Sequence, residues 1–362
     1  MAHIRPFVAG DVPQVAALHR KVFKTADRAD SGPESYQAYF SRVFLDTPAY
    51  DHEIPSLVCE EEDGAVVGFL GVVPRRMTVN GQHFRAAISS QFIVDPSCRS
   101  GFVAVGLAKA FLGGRQDLSI SDEASDISRR IWEGLGGTTS LWHSMRWTRP
   151  LRPTRFALSF LRERSGMAPL ATAAEPLARL ADALVARLAR GRLYLDLPHP
   201  SRHDELCETV FLSHLPGFAG PQNLSVEYDA RTFRWLLDLA RRRKASGRLH
   251  TAIVRKLHTV MGWYVFHIGD DRTAEVLQIA ADTATMPFVL DRLFAHAAKE
   301  GAIAVSGRLE PRFLQSFSDK HCVFHMRGPW VLVNARRPDL LRSFQAGDTF
   351  FSRFDGEWCL GF

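Results

Sequence analysis

Residues 91–107 read QFIVDPSCRSGFVAVGL, and this order of residue types predicts a strand, a polar loop and then a helix. The loop contains Arg99 and Gly101, and small residues follow on the first turn of the helix. Unpaired backbone N–H groups and the positive end of the helix dipole meet at such a helix start, which therefore suits a bound pyrophosphate. A purely structural turn is the alternative interpretation.

Apolar periodicity and turn dipeptides predict the elements around this segment. In chain order they are a strand at 4–8, a helix from Asp11, a helix at 34–45, two strands flanking Asp63-Gly64, a strand at 86–94, a helix at 102–112, a strand at 118–121, a helix at 124–135 and a strand at 140–147. This order predicts an α/β fold with a mixed sheet.

A weak internal repeat links the two halves of the chain. Val260-Met261-Gly262-Trp263 echoes Val66-Val67-Gly68-Phe69, and Gln278 to Asp282 echoes Gln91 to Asp95. In each half a helix and a further strand follow the second match, so we expect two copies of one fold, with chance similarity between apolar strands as the alternative. The second copy has no Arg or Gly before its helix, so we expect no phosphate cradle there.

The repeat and the composition divide the chain into three parts. We predict a first domain at 1–150, a helical connector at 151–204 and a second domain at 205–362. Leucines at 177, 180, 184 and 188 form an apolar stripe opposed by arginines, which favours a connector helix packed on a domain. A helix lying on a membrane surface is the alternative.

Composition limits the class of protein. The chain has 362 residues, 46% of them hydrophobic and 23% charged, which excludes a disordered or collagen-like chain. The net charge is +6 and the basic residues are scattered except at 241–244, so we expect no nucleic-acid partner. Five widely spaced cysteines, no signal peptide and no membrane-length apolar run favour a cytoplasmic protein.

The segment at residues 4–147 resembles the GNAT superfamily of acyl-CoA N-acyltransferases. Val94, Pro96, Arg99 and Val103 match the family's cofactor loop, whereas Ser100, Phe102 and Ala104 replace its three glycines. The resemblance implies two GNAT-like lobes joined by a helical connector, with acetyl-CoA or another acyl-CoA as co-substrate, no metal, and a small-molecule amine as acceptor.

The resemblance also implies where the reaction takes place. The cofactor would wedge between two diverging strands, at 88–94 and 118–121. Acyl-CoA would contact Phe92, Ile93, Val94, Arg99, Ser100, Gly101, Phe102, Val103, Ala104 and Ser125. Phe102 either follows the pantetheine arm or turns into the core, and the core is the favoured interpretation.

Proton transfer is the least defined part of the predicted site. The attacking amine must lose a proton, and Asp122 and Glu123 are the nearest acids in sequence. Alternatively, Asp122 or Ser121 only caps the following helix. Trp132 stands where many family members have a tyrosine that protonates the departing thiolate, a role that an indole cannot take.

Two other functions fit the sequence. Peptidoglycan-branching transferases have paired lobes of this fold and use aminoacyl-tRNA, a large anionic donor that suits a basic chain. A sensor that binds acyl-CoA without turnover would explain Trp132. His321 and His325 share one face of a predicted strand, but no third ligand is near them in sequence, so we expect no metal there.

Overall fold

The structure is a computed structural model that describes residues 2–23, 33–98, 101–162, 167–188, 204–220, 222–243 and 247–361. Its strands are β1 His3–Pro6, β2 Leu57–Glu60, β3 Val66–Val79, β4 Gln82–Val94, β5 Leu118–Ala124, β6 Thr138–Thr139, β7 Arg146–Pro150, β8 Leu224–Val226, β9 Arg248–Lys256, β10 Thr259–Ile268, β11 Thr273–Ala281, β12 Ala304–Arg308, β13 Val323–His325, β14 Trp330–Ala335 and β15 Thr349–Phe350. The predicted α/β class with mixed sheets is confirmed.

The helices are α1 Val12–Val22, α2 Pro33–Phe44, α3 Phe102–Leu112, α4 Asp126–Gly134, α5 Leu141–Ser144, α6 Pro153–Arg162, α7 Ala168–Leu188, α8 Glu208–Ala219, α9 Ala230–Arg242, α10 Met286–Lys299, α11 Leu314–Asp319, α12 Pro338–Ala346 and α13 Glu357–Leu360. Within the described residues, no helix has the length and apolarity needed to cross a bilayer.

The chain folds into two compact units. The first unit comprises residues 1–144, 221–239 and 328–362, and the second comprises 145–220 and 240–327. This grouping differs from the boundaries drawn on the sequence at 150 and 204, because β14 pairs with β5 and β6 whereas β7 pairs with β12 and β13. Neither pairing leaves a local trace in the sequence, since the partners lie far apart along the chain.

The first unit is built on a nine-stranded sheet. Its main path runs β1-β2-β3-β4-β5-β14-β6, and β8 pairs with both β3 and β15. Four aromatic rings, of Phe7, Phe40, Phe44 and Phe69, pack edge to face or stacked on one side. Burial of each such side chain contributes about 1.5–3 kcal/mol, so this cluster anchors α2 to the sheet.

The second unit repeats part of this order on a six-stranded sheet, β13-β7-β12-β11-β10-β9. Strand β4 runs through α3 into the parallel strand β5, and β11 likewise runs through α10 into the parallel strand β12. Gly68 and Gly262, which the sequence repeat aligns, both lie where a Cβ would press on that helix, against Val103 and Val289 respectively. The repeated glycines therefore permit the same close packing of helix on sheet.

The region between residues 151 and 204 forms two described helices, α6 and α7, in the second unit. Asp182 accepts hydrogen bonds from the backbone N–H groups of Thr154 and Arg155 and so caps the start of α6. The expectation that the leucine stripe packs on a domain is wrong, since Leu177, Leu180 and Leu184 are exposed. The small residues Ala171 and Ala178 form the packed face instead, because they let α6 approach closely.

Candidate active site

The candidate site lies in the first unit, where β4 and β5 diverge. The two strands pair in parallel only between Ala86–Ile88 and Leu118–Ile120, although β4 continues to Val94 and β5 to Ala124. Gln91 has a φ of 53°, and the register between β3 and β4 shifts beside it. The bulge follows closely on the last paired residues, so β4 and β5 separate from this point and leave a wedge between them, in the place that the resemblance implies.

Gln91 is held in this unusual conformation by a side-chain contact. Its Oε1 lies 2.9 Å from Nε2 of the buried His19 on α1. A left-handed residue other than glycine costs about 1 kcal/mol or more, which such a contact offsets. The backbone of residues 92–94 beyond the bulge is thereby fixed along the wedge.

The loop after β4 is fixed by Asp95. Its carboxylate accepts hydrogen bonds from Lys21 Nζ, at 2.7 and 2.8 Å, and from the backbone N–H of Ser97 at 2.9 Å. These bonds lower the pKa of Asp95 to about 2, so the group stays ionised and paired. Arg99 and Ser100 lie outside the described residues, and Gly101 is the N-cap residue of α3.

The residues expected to contact the cofactor differ in how accessible their side chains are. Phe102 is 83% exposed, so the expectation that it turns into the core is wrong: the first turn of α3 directs it to solvent, and Val103 takes the core position against Gly68. Ile93 and Val103 have buried side chains and offer only backbone groups to a ligand. Phe92, Val94 and Ala104 keep partial access.

The two acids expected to act in catalysis lie on β5 and contact the C-terminal segment. Asp122 is fully buried, and its Oδ1 accepts a 2.6 Å hydrogen bond from the backbone N–H of Glu357. A Cβ at Gly356 would overlap the Asp122 carboxylate, so only glycine permits this approach. Glu123 forms an ion pair with Arg353, at 2.9 Å from Nη2 and 3.0 Å from Nε.

Glu357 is the functional candidate that the sequence reasoning missed. Its Oε2 accepts hydrogen bonds from the Ser121 hydroxyl and the Glu123 backbone N–H, both at 3.3 Å. Burial, followed by the nearby charges of Asp122 and Glu123, raises the pKa of Glu357 to about 8. Glu357 as a whole residue is half-buried, and a carboxyl group with a pKa raised this far is a candidate for proton exchange near neutral pH.

Other buried polar groups hold the C-terminal segment in place. Tyr228 donates a hydrogen bond to Asp355, whose other oxygen accepts from the Ser352 backbone N–H at 2.6 Å. The buried Arg75 guanidinium lies 5.3 Å from the ring centre of Trp235 and interacts electrostatically with Asp355. Helix α13 thus packs against β4 and β5 as a fixed part of the site.

Several aromatic side chains lie in the C-terminal segment that precedes Glu357. Phe350, Phe351 and Phe354 are all buried, and β15 pairs with β8. These rings pack in the interior, so they do not form the wall of an open groove.

Two further residues of the sequence pattern, Ser125 and Trp132, have structural roles in the fold. Ser125, expected near the cofactor, is the N-cap of α4 and accepts a 3.2 Å hydrogen bond from the Ser128 backbone N–H. The alternative that Ser121 or Asp122 caps this helix is therefore wrong. Trp132 is buried against Phe111, with ring centres 5.7 Å apart, so the indole at the family's tyrosine position is a core side chain.

Comparisons with known proteins give one family match and several similar folds. Residues 3–117 match the family model described as an acetyltransferase (GNAT) domain. The chain is similar in structure to a probable N-acyltransferase of Enterococcus faecalis V583, a conserved protein of unknown function, with 12% identity, a TM-score of 0.57, and coverage of 92% of this chain and 73% of that one.

Two GCN5-related N-acetyltransferases have similar folds. The protein from Kribbella flavida gives 12% identity and a TM-score of 0.54, covering 92% of this chain and 71% of that one. The protein from Anabaena variabilis gives 10% identity and a TM-score of 0.58, covering 93% of this chain and 74% of that one. A search of curated proteins finds no match. The GNAT resemblance of the fold is confirmed.

Proposed function

We propose that this chain transfers an acetyl or other acyl group from acyl-CoA to the amine of a small-molecule acceptor. The observation that carries the proposal is the wedge between β4 and β5 with the Glu357 carboxylate beside it. A thioester held along β4 would then lie next to a group able to accept a proton from an amine. The match of residues 3–117 to an acetyltransferase (GNAT) domain supports the same reaction class.

The cofactor would be held mainly by backbone groups. The N–H groups along Phe92, Ile93 and Val94 would stabilise the negative charge that develops on the thioester oxygen. The start of α3 at Gly101, with Val103 and Ala104 on its first turn, would hold the pyrophosphate, together with Arg99 and Ser100 of the preceding loop. The exposed Phe102 ring would lie along the pantetheine arm.

Proton transfer would centre on Glu357 rather than on Asp122 or Glu123 alone. The amine nitrogen attacks the thioester carbon, the carbon–sulfur bond breaks, and the amine proton passes to the Glu357 carboxylate. Asp122 holds the backbone of Glu357, and Glu123 donates its backbone N–H to the same carboxylate, so both act as positioning residues. The CoA thiolate then leaves unprotonated or takes the proton from Glu357, since Trp132 cannot supply one.

Calorimetry with acetyl-CoA tests the cofactor site. We expect one acetyl-CoA per chain, and loss of binding in Ala104→Glu, because the longer acid would repel a pyrophosphate at the start of α3. Lys109→Glu, on the exposed last turn of the same helix, serves as the control, because it changes the charge in the same direction and by a larger amount. Unchanged binding in Ala104→Glu, or two sites per chain, would contradict the proposal.

A sensor that binds acyl-CoA without turnover is the second candidate, favoured by the buried Trp132 at the family's acid position. Thiol release during incubation with acetyl-CoA and a library of amines separates the two functions. Amine-dependent release supports the transferase. Tight binding without release for every amine supports the sensor.

A further inference from the structure

Three potential metal ligands, which no spacing motif in the sequence indicates, converge in the second unit. A ligand atom from each of His250, His296 and Glu300 lies within 4.8 Å of the other two. His250 is on β9, whereas His296 and Glu300 are four residues apart at the end of α10 and so share one helix face. The ligands thus come from two separate elements of one unit.

The surrounding side chains orient both imidazoles. Phe266 pairs with His250 across β9 and β10, and the two rings stack with centres 4.9 Å apart and planes at 8°. The same Phe266 ring meets His296 edge on at 5.2 Å. Nδ1 of the buried His296 also lies 3.2 Å from the Tyr264 hydroxyl, the kind of outer contact that fixes the ring of a metal-binding histidine.

The cluster opens into a pocket of about 240 Å³. Glu205, Arg241 and Arg248 also line this pocket, so its two glutamates and two arginines offset one another in charge. Glu300 keeps solvent access and His250 is half-buried, which gives an ion a route of entry.

We propose that His250, His296 and Glu300 bind a divalent transition metal ion of the zinc type. Two imidazoles and one carboxylate are a donor set suited to Zn²⁺, and three protein ligands leave one tetrahedral position for water or another ligand. Bonds of about 2.1 Å place tetrahedral donor atoms about 3.4 Å apart. Binding therefore requires the donor atoms to approach one another by at most about 1.4 Å from the present limit of 4.8 Å, mainly through the solvent-accessible Glu300 side chain.

Titration of the full chain with Zn²⁺ tests the site, after treatment with EDTA and without an affinity tag. We expect one equivalent of Zn²⁺ per chain, with affinity at least tenfold weaker in Glu300→Gln and weaker again in His250→Asn. His258→Asn, an exposed histidine in the β9–β10 turn, is the matched control and is expected to bind as the wild type does. Equal melting temperatures of all variants without metal establish that each is folded.

Cobalt provides a readout independent of affinity. Tetrahedral Co²⁺ bound by imidazole and carboxylate gives visible absorption bands without the charge-transfer band of a thiolate ligand, so binding at any of the five cysteines is distinguished. Absence of Zn²⁺ binding, unchanged affinity in both His250→Asn and Glu300→Gln, or a thiolate spectrum would each overturn the proposal.

Discussion

At the scale of single residues, Glu357 carries the clearest pH prediction. Its pKa is raised to about 8, so below that pH most of the carboxyl is protonated and only the remaining ionised fraction can accept a proton. We expect kcat/KM for amine acylation to rise with pH up to about 8. In Glu357→Gln we expect kcat/KM to fall about a hundredfold or more, and this acidic limb to disappear. The pH dependence of kcat/KM measures both effects.

Glu61→Gln, on the exposed β2–β3 turn, is the control and keeps the wild-type profile. A Glu357→Gln variant that retained the acidic limb would assign the limb to another group.

The pH dependence of the free energy of unfolding gives a second readout of the Glu357 pKa. Because the folded-state pKa is raised above the ordinary value of 4.5, the native protein binds more protons between about pH 4.5 and 8, so its stability falls with rising pH in that window. We expect Glu357→Gln to remove that part of the slope.

At the scale of elements, the contact of α3 with β3 depends on one glycine. A Cβ at Gly68 would lie 2.8 Å from Val103 and 2.9 Å from Leu107, both on α3. We expect Gly68→Ala to push α3 outward, to cost about 1–3 kcal/mol and to weaken acetyl-CoA binding, because the start of α3 moves with the helix. Thermal melts and calorimetry measure the two effects.

Gly134→Ala on α4 is the matched control, since nothing lies within 4 Å of its added methyl group. That change is expected to leave the melting temperature equal or slightly higher, because alanine favours a helix over glycine. Equal melting temperatures for Gly68→Ala and the wild type would show that the core absorbs the methyl group.

The elements that could be predicted are those with local signals. Alternating apolar residues and the Asp63-Gly64 and Asn80-Gly81 turns predict β2, β3 and β4, and the strand-loop-helix pattern predicts α3. Strand β14 could not be placed, because its pairing with β5 joins Leu118 to Ala335 and depends on tertiary contacts. The role of Glu357 could not be predicted for the same reason, since only the fold brings this residue beside Ser121.

At the scale of the whole chain, the units are discontinuous in sequence. A fragment of residues 1–150 contains β5 but not β14, and it lacks the C-terminal residues that contact Asp122. We expect this fragment to bind hydrophobic dyes and to melt without a cooperative transition, because β5 loses its antiparallel partner and the buried Asp122 loses the hydrogen bond from Glu357. Thermal circular dichroism, with the full chain as control, measures the difference. A cooperative melt near the midpoint of the full chain would contradict this expectation.

The pairing of β5 with β14 also has a consequence for synthesis on the ribosome. Residue 330 is made 206 residues after Ala124, where β5 ends, which takes about 10–40 s at usual rates of translation. Throughout this interval the nascent chain carries β5 with one edge unpaired, a form prone to wrong association with other chains. We therefore expect the emerging polypeptide to depend on shielding of this edge, by a chaperone or by its own later segments, until its last strands leave the exit tunnel.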